Sequence, residues 1–146
     1  MLVGLAYVTV SFAACLGATY LGAQATPYIS FFGIGLTMVL KDNLQIKHGW
    51  RIAAFFVVIS SLFPVVLPAT RSVAIASVSA NLVSGIVDVI VLEFSGSLVL
   101  SDVVSSFLDS FIFLKLAFGG GPFLAQSIVK FLGTRAWRAF IKKASS

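Results

Sequence analysis

The chain has 146 residues, 59% of them hydrophobic and only 10% charged, with a formal net charge of +5. A soluble domain carries roughly a quarter charged residues, so this composition argues against a water-solvated globule, and the mean hydropathy of +1.06 points to lipid as the solvent. One cysteine and one histidine leave no internal disulfide and no metal centre built from several of either.

A helix needs about 20 mostly apolar residues to cross the hydrocarbon core of a bilayer. Six such runs fit between the charged islands, at about 2–21, 28–46, 50–67, 72–92, 98–118 and 123–141. Backbone in lipid must satisfy its own hydrogen bonds, which leaves helices or a closed barrel. Stretches such as "IAAFFVVI" at 52–59 lack the alternation of a barrel strand. The expected fold is therefore an all-α integral membrane protein, a bundle of six transmembrane helices forming one domain over 1–146, with connections too short to hold a soluble domain.

The first run carries no charge, and Cys15 within it reads as packing. "AQA" at 23–25 looks like a signal cleavage site, but no basic segment precedes it and five apolar runs follow, so the run is expected to be retained. The second is the weakest span. Its uncharged part, Tyr28 to Leu40, is only about 13 residues, nearer a buried or re-entrant piece, unless Lys41 snorkels to the interface and extends it. His48 follows in a charged loop and is expected to be solvated. The third run is expected to end at Pro64 and Pro68.

From here polar residues recur at helical spacing. The fourth run aligns Ser77, Asn81, Ser84 and Asp88 on one face, with Ser72 and Gly85 close by. "FSGS" at 94–97 then offers Gly96 for a turn and Ser97 as an N-cap. Asp102, Ser105, Ser106 and Asp109 share a face of the fifth run. Asp102 is near its start, where it can favour the helix N-terminus, and Lys115 lies off that face, near the far end. "GGGP" at 119–122 makes a flexible turn with Pro122 at a helix start. Gln126, Ser127, Lys130 and Thr134 continue the pattern in the sixth run.

A charge at the bilayer centre costs about 2.5–3.5 kcal/mol even on the lenient insertion scale. Three polar stripes therefore imply a shared interior that is wet or takes a polar ligand, with Asp109 and Lys130 its clearest members. The plainer reading keeps the small polar residues as helix packing and Asp109–Lys130 as a lock between two helices. The basic residues cluster at Lys41, Lys47 and Arg51 and at Arg135, Arg138, Lys142 and Lys143, whereas the other loops hold only Arg71 and Lys115. The positive-inside rule then puts both termini in the cytoplasm, with the cations touching headgroups and no role for nucleic acid. No nucleophile with a base partner is evident, and the glycines at 119–121 lack the lysine and hydroxyl of a phosphate loop. Asp88 and Asp109 as a pair of protease-like carboxylates have nothing around them that singles out that chemistry. A carrier or receptor without cofactor is expected rather than an enzyme.

"LTMVLKDNLQIKHG" at 36–49, "ASVSANLVSGIVDVIVLEF" at 76–94 and "SDVVSSFLDSFIFLKLAFG" at 101–119 resemble, in order, the three signature regions of the queuosine precursor transporter family, also called the vitamin uptake transporter (VUT) family. The resemblance covers roughly residues 25–132. It implies a six-helix importer in the inner (plasma) membrane for 7-deazaguanine precursors, such as preQ0 or preQ1, similar in architecture to the vitamin-binding components of energy-coupling-factor transporters. It also implies roles for Asp42 and Gln45 after the second span, Ser84 and Asp88 in the fourth, and Ser101, Asp109 and Ser110 in the fifth. Many relatives carry an acid where this chain has Gly85 and an asparagine where it has Asp102. As partners the resemblance implies the heterocycle and the bilayer, and it leaves open a homo-oligomer or a separate ATPase module.

Such a base presents two adjacent donors beside a carbonyl. One carboxylate, Asp109 or Asp88, can accept both donors, while Asn81 and Gln126 can serve the carbonyl and the pyrrole edge. Lys130 or Asn81 can donate to a nitrile, and a further carboxylate can neutralise an aminomethyl group. Phe107, Phe111, Phe113 and Trp50 are candidate walls, and glycines 33, 35, 85 and 119–121 are candidate places to bend. The expected substrate-binding residues are Asp109, Asp88, Asn81, Ser84, Asp102, Ser105, Lys130, Gln126, Asp42 and Gln45, with no catalytic residue and no metal ligand. The alternatives are another vitamin-like heterocycle, or a structural membrane protein without transport activity.

Overall fold

A computed structural model describes residues 2–66 and 71–144, and among them every element is helical. Helix α1 is Leu2–Leu21. After a 3-10 turn at Ala23–Ala25, three pieces run on without a break: Thr26–Ile29, a π-helical stretch Ser30–Ile34, and Gly35–His48. We call this composite α2. The remaining helices are α3, Trp50–Val66; α4, Arg71–Ser95; α5, Leu98–Phe118; and α6, Phe123–Ala144. Two of the six, α1 and the stretch Ala74–Ser95 of α4, are long and apolar enough to cross a membrane, and about a third or less of each is buried.

The punctuation follows the expected residues. Gly49 and Gly96 take positive φ at the turns after α2 and α4, and the Ser97 hydroxyl accepts from the Leu100 amide at 3.3 Å to cap α5. Gly119 closes α5 in the left-handed conformation, where a side chain would be strained. The composite α2 ends at His48 and α3 is described to Val66, within two residues of the expected ends, with Pro64 inside the last turns of α3, while α6 runs three residues further than expected, to Ala144. Leu67 and Pro68 lie outside the described residues, as do the side chains of Arg71 and Ser72.

Helices α2 to α6 pack in a closed ring, each against its neighbours in sequence and α6 back against α2, while α1 leans on α2, α3 and α4. Small residues set the closest approaches. A Cβ on Gly133 of α6 would stand 2.3 Å from the Phe31 carbonyl oxygen, and one on Gly35 would stand 2.7 Å from the Gly133 backbone. At Gly85 of α4 an added Cβ would meet Val57 of α3 at 2.7 Å. Gly35 and Gly85, candidate places for helices to slide or bend, are thus also contacts that let two helices touch.

The surface is more apolar, and the interior more polar, than a soluble domain's. Large apolar side chains lie exposed on every helix, among them Leu5, Phe32, Phe55, Phe94, Val103 and Leu132. Alongside buried hydrophobics such as Tyr7, Leu44, Val57 and Phe113 the interior holds serines, threonines and charged groups, and Lys130 is the largest wholly enclosed side chain among the described residues.

Candidate functional site

All six helices contribute to one cavity, which holds about 90 Å³ of water-accessible space. A single water needs about 10–15 Å³ on this measure, so the hollow has room for several waters or a small ring system. The α4 stripe Ser77, Asn81, Ser84 and Asp88 forms one wall, as its helical spacing requires. Ser105, Asp109 and Phe113 come from α5, Gln126 and Lys130 from α6, Tyr7 and Cys15 from α1, Ser60 from α3, and Ser30, Met38 and Lys41 from α2.

Within the hollow, Lys130 and Asp109 form an ion pair joining α6 to α5. Lys130 is 2% exposed and the Asp109 side chain 16%, so the carboxylate is the more accessible partner. Ser84 donates to its other oxygen at 3.4 Å. On the α4 wall Asn81 donates to both Ser60 and Ser61 at 2.9 Å, and Tyr7 completes the knot by donating to the Asn81 carbonyl at 3.4 Å. Gln126 donates to Ser30 at 3.1 Å, and its buried carbonyl oxygen has no hydrogen-bond partner. Turning the amide over would only exchange which end is unspent.

Beneath the hollow, toward the end where α2 and α6 finish, lies a second polar region. Lys41 pairs with Asp88 and stands 3.3 Å from Asp42. Arg138 grips Asp102 with both terminal nitrogens, at 2.8 and 3.2 Å, and reaches Asp42 at 2.5 Å. Ser101 donates to Asp88. Gln45 donates to the Val89 carbonyl at 3.0 Å and reaches Glu93 at 3.5 Å, and its own buried carbonyl oxygen has no partner. The carboxylates of this layer are at most 2% exposed.

The expected site residues thus divide. Asp109, Lys130, Asn81, Ser84, Ser105 and Gln126 meet around the hollow. Asp42, Gln45 and Asp102 do not line it: they belong to the ionic layer, and Asp88 borders both. Lys41 is 3% exposed, so the expectation that it snorkels to an interface is overturned by the two carboxylates that hold it inside. Arg138 is likewise no simple headgroup contact, since Asp42 and Asp102 turn it inward.

Of the expected aromatic walls only Phe113 reaches the cavity. Phe107 and Phe111 stack on each other and against Phe123 on the outer surface, and Trp50 lies exposed beneath Arg51. Tyr7 and Ser60 were not anticipated. Each is a polar group in an apolar run without a stripe, so only the interruption itself marked it.

Comparison with family models, curated proteins and solved structures finds no match for this chain.

Proposed function

We propose that the chain is a six-span membrane carrier whose hollow binds a planar nitrogen heterocycle with a donor–donor–acceptor edge, the chemistry of a 7-deazaguanine queuosine precursor. The observation that carries this reading is the accessible Asp109 carboxylate beside Lys130 and the unspent Gln126 amide in one enclosed cavity. Asp109 would take the two adjacent donors of such an edge, and Lys130 would donate to the neighbouring carbonyl. Gln126 would meet the pyrrole side.

A membrane setting is supported by this distribution of polarity. Exposed leucine, isoleucine, valine and phenylalanine on every helix would be costly in water, while the buried charges are those that lipid forces inward. The exposed cations Lys47, Arg51, Arg135 and Lys142 stand at the end of the bundle where α2 and α6 finish. By the positive-inside rule that end faces the cytoplasm, which puts the ionic layer on the cytoplasmic side of the hollow.

The test is thermal melting of detergent-purified protein with 7-cyano- and 7-aminomethyl-7-deazaguanine, because a ligand that binds only the folded state raises its stability by mass action. A rise with at least one compound, lost in Asp109→Asn, supports the carrier. No rise with either, together with an Asp109→Asn variant that is merely less stable, would return the pair to the role of a helix lock. A rise with other small heterocycles alone would keep the carrier and replace the substrate.

A further inference from the structure

We infer that the ionic layer is a proton-binding site, holding one proton among Asp42, Asp88 and Asp102. The three carboxylates meet only two cations there, Lys41 and Arg138. One negative charge is left uncompensated among acids almost wholly enclosed, with Arg138 the more open member of the layer. An isolated buried carboxylate is so expensive that it takes up a proton instead.

Lys41 is shared between Asp88 and Asp42, and Asp88 also accepts from the Ser101 hydroxyl. Asp42 and Asp102 both draw on the single guanidinium of Arg138. Beyond the Lys41 ion pair, Asp42 Oδ1 and Asp88 Oδ2 have no hydrogen-bond partner. Carboxylates crowded into one buried site resist being charged together.

From α2 come Lys41 and Asp42, from α4 Asp88 with Glu93 at the rim, from α5 Asp102, and from α6 Arg138, with Lys130 higher up and engaged by Asp109. From α1 the nearest titratable group is Tyr7, and Arg51 of α3 lies exposed over Trp50. Lys41 and Asp88 also border the hollow. On the carrier reading, which this clause alone depends on, the proton and the cargo therefore share a wall, and protonation would be coupled to import.

The site is tested without any heterocycle. The infrared spectrum of the purified protein at about pH 7, where free carboxylates are ionised, is expected to show one protonated carboxyl. That band should vanish in Asp102→Asn and in Asp42→Asn, each of which leaves two carboxylates to two cations, and should persist in Asp109→Asn. Should the asparagine variants fail to fold, the melting temperature of the unaltered chain decides. A carboxyl protonated in the folded state and ionised in the unfolded one stabilises at low pH, and that contribution is lost as pH rises through the folded-state pKa. The melting temperature should accordingly fall as pH rises above the ordinary carboxylate range. Absence of the band, its survival in both Asp102→Asn and Asp42→Asn, or a sodium-dependent rise in melting temperature without the band would each overturn the proposal. Failure of the heterocycle to bind would leave the infrared result untouched.

Discussion

The hollow and the ionic layer are built from the same residue types on the same helices, yet they are opposite in what they leave over. The hollow has one carboxylate for one ammonium and keeps space, an accessible Asp109 oxygen and an unspent amide. The layer has three carboxylates for two cations, its atoms are in contact across four helices, and all three acids are sealed. A region with charge balanced and hydrogen bonds to spare is suited to receive a guest. One that is packed tight with charge unbalanced is suited to close a path and to hold a proton.

Several variants would break or sharpen that contrast. The largest effect is expected of Arg138→Gln, which strands Asp42 and Asp102 together. Loss of one partner of a buried pair costs about 3–5 kcal/mol, so the protein should be scarce in membranes and melt far below the parent. Lys130→Met should be almost as damaging by itself, since it leaves Asp109 without its cation. Combining Lys130→Met with Asp109→Leu should recover most of the lost melting temperature, because apolar replacement of a whole buried pair is often neutral. The double variant should nevertheless show no shift with either 7-deazaguanine. Recovery of binding along with stability would mean that the hollow recognises its guest by other groups.

Gly133→Ala is expected to cost about 1–3 kcal/mol, the usual range for overpacking, since its Cβ would press on the Phe31 carbonyl. Melting measures it directly. Phe107→Leu should be the mildest, within about 0.5 kcal/mol and without effect on binding, because surface substitutions rarely exceed that and Phe107 faces outward.

How far these features were legible in the chain depends on the kind of signal. The helices α4, α5 and α6 were, because Ser77, Asn81, Ser84 and Asp88 repeat at the helical period and Gly96, Ser97 and Gly119 mark the turns. The fates of Lys41 and Arg138 were not. Each has a long stem at the end of a span and can turn to water or to the interior with equal reach, and only the position of a carboxylate on another helix decides which. Phe107 and Phe113 are alike in composition and neighbourhood, with no polar handle to show that one faces out and the other in. The extent of α2 was legible to within two residues, but its irregular middle was not, since no repeat in "SFFGI" at 30–34 announces it.

That irregular middle has a mechanical consequence. At the π-helical stretch the Phe32 carbonyl accepts from the Trp137 indole at 3.1 Å, and the Phe31 carbonyl abuts Gly133, so α2 and α6 are keyed together backbone to backbone. Helices keyed in this way cannot slide past one another without collision, and they would move as a unit. The seam between this pair and α4–α5 is the line that Lys41–Asp88 and Arg138–Asp102 stitch together, and on the proposed carrier reading it is where a rocking motion would have to part the helices.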